Sequence, residues 1–546
     1  MPVNVSFPGV YIHEVKSRVR TITGVPTSVA AFVGSAPRGP VDTPVHVIGW
    51  ADYEAWFGGL DANSAMGHAV YQFFLNGGTD AEVVRVLPDS VRLAEVRVGK
   101  DTTPGGQDGR PKLKAASPGA WGRKLRVRVD YDGIPKADSG LYNLTIRDAG
   151  TGVQERYTNI KAGSNGPRGL TKMLSGSRLV VAEGDGGPER PPEHDTPEHF
   201  SGDLLADPPV PHPGEAHGDA EGEPGEGEVP GDTAVLFEKP DQGGGTDAEP
   251  TKDDYRGSPA GQTGIHALLK TDIFNLLCLP GAPAEVLPEA LQLCVERRAI
   301  LLVDPPDEWK DKDASEVAKT ALETPLLPVE SGKNAALYFP EIRAVDPLDG
   351  ETKAFPPCGV MAGVLARTDA QRGVWKAPAG TDASLAGVTG LTTVLTDREN
   401  GLLNPLGVNC LRQLPLVGPV AWGARTLRGA DRFADEWKYL PVRRLALFVE
   451  ESLFRGTQWV VFEPNDEPLW SSIRLNVGAF MNSLFREGAF QGRTPDEAYL
   501  VKCDRENNPQ NDIDRGIVNI QVGFAPLKPA EFVIIHIEQL AGQIQA

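Results

Sequence analysis

FNLLCLPGAPAEVLPEALQLCVERRAILLVD, residues 274–304, decides the architecture. Its two apolar runs, FNLLCLPG and AILLVD, have strand length, and the intervening PAEVLPEALQLCVERR reads as a helix. A further helical stretch, KDASEVAKTALE (312–323), precedes another strand-like run, NAALYFPEI (334–342). Strands that alternate with helices of this length predict a parallel sheet covered on both faces. Two amphipathic helices are expected next, around VRRLALFVEESLFRG (442–456) and LWSSIRLNVGAFMNSLFREG (469–488), with WVVFEP (459–464) between them as a strand. In the second, Leu475, Phe480, Leu484 and Phe485 ask for burial. DEAYLVKCD, DRGIVNIQVGFAP and EFVIIHIEQL return to strands at the end of the chain.

Working back toward the start, NSAMGHAVYQFFLNGG (63–78) places Met66, Ala69, Val70, Phe73 and Phe74 on one helical face. Asn63 or Ser64 suits its start and Asn76-Gly77 its end. AEVVRVL (81–87) reads as a buried strand. Leu125, Val127 and Val129 alternate with Arg126, Arg128 and Asp130, and LYNLTIRD (141–148) alternates too, as strands with one wet face do. A mostly β unit is expected over 95–182.

The net charge of −20 is local rather than global. Residues 183–255 hold 21 Asp and Glu against Arg190, Lys239 and Lys252, so the body of the chain is nearly neutral. The same segment has 12 Pro and 13 Gly, too little apolar surface to offset chain entropy, and a disordered acidic insertion is expected. His194, His199, His212 and His217 lie in it at irregular spacings, which favours a solvated loop over a metal site. No cluster of Lys and Arg suggests nucleic-acid binding. No apolar run reaches 18 residues, and the first residues lack the pattern of a secretory signal. Cys278, Cys294, Cys358, Cys410 and Cys503 are widely spaced, which suits buried thiols in a reducing compartment.

Motifs for catalysis do not complete themselves. HEVKS at His13 has Ser17 where a zinc protease needs its second histidine, and Lys333 of SGKNAA lacks the glycine spacing of a phosphate loop. No GxSxG elbow occurs. His46, His68, His266, His536, Asp272 and Asp304 remain the candidates for a set assembled in space, and an α/β hydrolase is the alternative reading. No cofactor and no metal are expected.

The two ends carry more information. VNVSF (3–7) alternates Val3, Val5 and Phe7 ahead of Pro8-Gly9. Near the other end Phe532, Val533, Ile534, Ile535 and Ile537 are apolar on both faces of a strand. Such an end strand either completes its own sheet or is donated to a neighbour's.

PGVYIHEV (8–15) followed by GVPTSVAAFVGSAPRGP (24–40) resembles the N-terminal region of contractile tail sheath proteins. The blocks NPLGVNCLRQLPLVGPVAWGARTL (404–427), 439–492, EAYLVKCDRENNP (497–509) and 516–537 resemble their C-terminal part. The resemblance covers 1–90 and 260–546 and leaves the middle unmatched. It implies a structural subunit of a phage tail, pyocin or contractile injection system, not an enzyme. The subunit would stack as hexameric rings around an inner tube and contract, with baseplate and cap proteins as further partners. Neither nucleic acid nor membrane insertion is implied. The implied division is an extended arm (1–20), the first part of an α/β core (21–94), a mostly β outer domain (95–182), the acidic insertion (183–256), the rest of the α/β core with a mixed sheet and flanking helices (257–515), and C-terminal strands with an arm (516–546). The arms would donate strands through Val3, Val5, Phe7, Phe532, Val533, Ile534, Ile535 and Ile537. Arg474 and Arg486 are the candidate inner-tube contacts. Assembly in a bacterial cytoplasm, or release as a particle or virion, follows from the same resemblance. Another structural component of such a particle, from baseplate or tail, is the nearest alternative.

Overall fold

The computed structural model describes residues 20–99, 110–135, 140–187, 189–196, 203–205, 237, 239–240, 247–310, 312–323, 326–328 and 330–535. The apolar runs form the middle of an eight-stranded sheet. Its spatial order is Gly418–Ala421, Val408–Leu414, Ala335–Phe339, Ile300–Val303, Leu276–Cys278, Ala30–Gly34, Ala81–Arg85 and Val45–Val47. The six inner strands are parallel and the two edge strands antiparallel, so the sheet is mixed. Leu276–Cys278, Ile300–Val303 and Ala335–Phe339 are buried throughout, because helices cover both faces. Phe32, Leu276, Leu302 and Tyr338 face one layer, built on the helices Ala65–Leu75 and Cys358–Arg372. Ala31, Leu277, Leu301 and Leu337 face the other, which includes the helix Leu287–Glu296.

The Ala65–Leu75 helix is capped by Ser64, whose hydroxyl accepts from the Gly67 N–H, and Asn76 ends it. It lies unusually close to Cys358–Arg372. A Cβ on Gly359 would sit 2.3 Å from the Ala69 carbonyl oxygen, and one on Gly363 2.6 Å from that of Phe73. Glycine is what permits the approach.

Residues 95–183 form two three-stranded antiparallel sheets around one apolar cluster. Here the structure departs from the expected pattern. Leu125–Asp130 has no wet face, since Arg126, Arg128 and Asp130 are as buried as Val127 and Val129. The start of the acidic segment lies over them. The His194 N–H donates to the Val129 carbonyl, Val129 N–H donates to His194 Nδ1 at 2.9 Å, and Arg128 donates to the Asp195 carbonyl. Burial first, then the Arg128 charge, pushes the His194 imidazole down to about 4. His194 is therefore a packed neutral side chain, not part of a solvated loop. The end of the segment is also ordered: Thr251 and Asp254 form a capping box for the helix Lys252–Arg256, and Tyr255 is buried. The remaining histidines of the segment, His199, His212 and His217, lie outside the described residues.

WVVFEP is not a strand. A 3-10 turn, Gln458–Val460, and an exposed loop join the helices Leu440–Gly456 and Glu467–Arg486, and Phe462 is fully exposed. Pro464 removes a donor, and Asp466 caps the second helix by accepting from Leu469, so the segment serves as a connector.

Candidate assembly surfaces

The helices Leu440–Gly456 and Glu467–Arg486 carry a separate apolar cluster that includes Leu445, Val449, Trp470, Ile473, Val477, Phe480 and Leu484. On it rests a two-stranded antiparallel sheet, Tyr499–Lys502 with Gln521–Phe524, in which Leu500 faces Gly523 and Val501 faces Val522. Tyr499, Val501, Val522 and Phe524 pack against the cluster, while Leu500 points outward, 52% exposed. No residue of this sheet is fully buried. A lone pair of strands is marginal by itself, and its remaining edges offer backbone donors and acceptors to further strands.

Residues 20–27 and 525–531 are both tied down beside this module. At the N-terminal end, the Arg20 N–H donates to Asn476 Oδ1 at 3.0 Å and the Val25 N–H to Ser452 Oγ at 3.2 Å. Ile22 is buried against Gly456. Arg444 then holds Asp369 in a two-pronged pair at 2.8 and 2.6 Å and donates to the Thr27 carbonyl, while the Thr27 hydroxyl donates to Asp369. Val3, Val5 and Phe7 lie outside the described residues, as does His13.

At the C-terminal end, residues 525–531 run from the two-stranded sheet back to the α/β core. Residues 527–531 border a groove of about 800 Å³ that Trp375, Trp422 and Tyr439 also line. Glu531 ends the run in an ion pair with Arg425. Phe532, Val533, Ile534 and Ile535 follow at 73–80% exposure and belong to no sheet of their own chain. Four consecutive large apolar side chains in water are the least satisfied stretch among the described residues. Ile537 and His536 lie outside the described residues.

The candidate inner-tube residues sit on the helix Glu467–Arg486. Arg474 pairs with Glu467 and donates to the Cys503 carbonyl, so its charge has an internal partner. Arg486 is exposed in the last turn. Phe480 and Leu484 are buried and Phe485 half-buried, but Leu475 points outward at 55% exposure. The expected burial therefore fails at Leu475 alone: Ser471, Leu475 and Ala479 are all exposed, four residues apart along one face.

The residues weighed for catalysis are scattered over the fold. His68 is buried and bonds Asp346 at 3.2 Å, and Phe355 stacks on its ring. His46 is exposed beside Glu82. Burial pushes the His266 imidazole down. Asp272 pairs with Arg455 at the surface, and Asp304 accepts from the Cys358 N–H at the start of a helix. All five cysteines are free and buried. Among the described residues no group of His, Cys, Asp and Glu has metal-binding geometry, and no helix is long and apolar enough to cross a membrane.

Comparison with known proteins bears on these surfaces. Residues 434–539, which contain both helices, the two-stranded sheet and the exposed C-terminal residues, match the phage tail sheath C-terminal domain. The tail sheath protein of Vibrio phage KVP40 is 26% identical over 35% of this chain and 27% of its own length. A putative prophage major tail sheath protein of Pseudomonas aeruginosa strain UCBPP-PA14 is 26% identical over 50% of this chain and 68% of its own. The helical sheath of the anti-feeding prophage in its contracted state superposes with a TM-score of 0.54 at 20% identity, covering 98% of this chain and 99% of that one. In sequence and in fold, this chain resembles the contractile tail sheath proteins, and residues 434–539 match their C-terminal domain.

Proposed function

We propose that this chain is a structural sheath subunit, not an enzyme, that polymerises as stacked hexameric rings around an inner tube and contracts to drive the tube through a target envelope. The observation that carries the reading is the pairing of an unfinished sheet with an unhoused apolar run. Tyr499–Lys502 and Gln521–Phe524 need further strands, and Phe532–Ile535 need a sheet. The short run from Phe524 makes insertion into a second copy the natural way to satisfy both. Each large apolar side chain so buried contributes about 1.5–3 kcal/mol. Val3, Val5 and Phe7 at one end, and Ile537 with Phe532–Ile535 at the other, are the residues assigned to donation.

In this reading residues 21–94 and 257–515 form the α/β wall, 95–182 an outer domain, and 183–256 an acidic outer insertion. Hydration outside the wall relieves repulsion that would act within a Debye length of about 8 Å inside it. Arg486, with Arg474, faces an acidic inner tube from the exposed side of the helix Glu467–Arg486. Baseplate and terminal cap proteins are the other partners, and assembly takes place in a bacterial cytoplasm before any release. Contraction is a passage between two lattices, so each subunit needs only a modest free-energy gap and no nucleotide.

Negative-stain electron microscopy of the purified chain, beside a version lacking residues 1–20, tests this. Tubes or stacked rings from the first and dispersed subunits from the second are expected. Equal assembly by both would remove the N-terminal arm from the account.

A further inference from the structure

Arg425 follows the edge strand Gly418–Ala421, yet it is completely buried. Its Nε donates to Glu531 Oε1 at 2.6 Å and its Nη2 to Glu531 Oε2 at 2.7 Å, the parallel two-pronged geometry that makes guanidinium–carboxylate pairs strong. Nη1 is held by the Asn404 carbonyl at 2.9 Å and Asp431 at 3.0 Å. Glu531 also receives the Asn404 side-chain amide at 2.9 Å and the Tyr439 hydroxyl at 3.2 Å. The Arg425 backbone is fixed in turn. Its N–H donates to Asn409 Oδ1, and the Asn409 amide donates to the carbonyls of Arg425 and Leu337. Leu337 lies in an inner strand of the eight-stranded sheet. A continuous series of polar contacts therefore runs from Glu531 into the centre of the fold. Among the described residues of 526–535, Glu531 is the one whose side chain hydrogen-bonds the body, and the next residue, Phe532, is already in solvent.

We propose that the Arg425–Glu531 pair is the fastening point of the C-terminal arm: it fixes the arm's root and passes tension from a second copy of this chain into the central sheet. The proposal rests on the reading of residues 532 onward as a link between subunits. Without a fastening, pull on the arm would peel 525–531 off the groove one residue at a time. With it, the next step of peeling takes a carboxylate from a buried guanidinium, the expensive way to break such a pair. Glu531 acts here as a positioning residue, since the contact with the neighbour is made by the side chains beyond it.

Because the native cysteines are all buried, a cysteine placed at Val533 in the full-length chain can be spin-labelled selectively. In the free chain, Glu531→Gln is expected to raise the label's mobility several-fold. Tyr439→Phe, which removes one contact to Glu531, should give a smaller rise, and Lys528→Gln, at an exposed strap residue, none. In assembled particles Glu531→Gln should shed subunits at a lower urea concentration than the parent. Identical label spectra in parent and Glu531→Gln chains, or identical shedding, would overturn the fastening. A parent chain that never polymerises would overturn the sheath reading instead, and the label spectra of the free chain would still decide the root.

Discussion

Every residue of Leu276–Cys278, Ile300–Val303 and Ala335–Phe339 is buried, whereas in the pair Tyr499–Lys502 and Gln521–Phe524 none is. The first sheet has neighbours on each side of its inner strands and helices over both faces, all supplied by its own chain. The second has one strand per strand and one covered face. Both are rich in β-branched and aliphatic residues, so composition does not separate them. Connectivity does: the core's inner strands are paired within one molecule, whereas the C-terminal pair stands as two strands that, in the proposed function, a second copy completes. Stability and assembly should accordingly respond to different residues.

The largest loss of stability is expected in the core. Phe32→Ala removes a fully buried ring that packs edge-on against Phe73, and should cost about 3–5 kcal/mol in chemical denaturation of the free chain. Arg444→Met leaves Asp369 buried beside Thr27 without its partner. It should cost a similar amount, about 3–5 kcal/mol, and loosen the N-terminal strap in hydrogen exchange. If either change left the free chain's stability unaltered, the claim that the core is self-sufficient would be wrong at that point.

Acid should act on one hairpin at intermediate size. Burial works against the Asp346 carboxylate, but Lys353, the Leu348 N–H and His68 outweigh it and hold the carboxyl down at about 2. A depressed carboxyl stabilises the fold above its unfolded value, and that contribution fades as the pH falls toward 2. Asp346→Asn should therefore be about 2 kcal/mol less stable than the parent at neutral pH, with the difference gone near pH 2. A difference that persisted in acid would mean the side chain's shape, not its charge, holds the hairpin Ile342–Val345 and Thr352–Phe355.

The smallest effect on the free chain belongs to the second sheet. Leu500→Ser changes an outward residue and should alter stability by no more than about 0.5 kcal/mol. Its effect should appear in polymer yield, because side chains of an added strand would lie beside Leu500 on that face.

Much of the core was legible because apolar runs of strand length separated by amphipathic helices have few other solutions. The runs around Leu277, Leu301 and Leu337 became inner strands, and the helix read from Met66, Val70 and Phe73 formed with Ser64 as its cap. WVVFEP misled because β-rich composition says nothing about whether a partner strand is within reach. The wet face expected at Arg126 and Arg128 was dry because His194 and Asp195 of the Pro- and Gly-rich segment lie over Arg128 and Val129, and Phe237 lies against Arg126; His194 gave no periodic signal of that role. Arg425 and Glu531 meet across 106 residues of sequence, a separation at which charge pairing leaves no local pattern. The apolar end at Phe532–Ile535 was visible in the sequence; its lack of a home within the chain required the structure.

The central claim is that the C-terminal residues serve a neighbour and not their own subunit. The most direct measurement is electron microscopy of the full-length chain against a variant carrying Val533→Asp and Ile535→Asp, with calorimetry of both as free chains. The account predicts rings or tubes from the parent, dispersed subunits from the variant, and the same melting temperature for the two. A variant that assembles as well as the parent, or one that melts well below it, would contradict the claim.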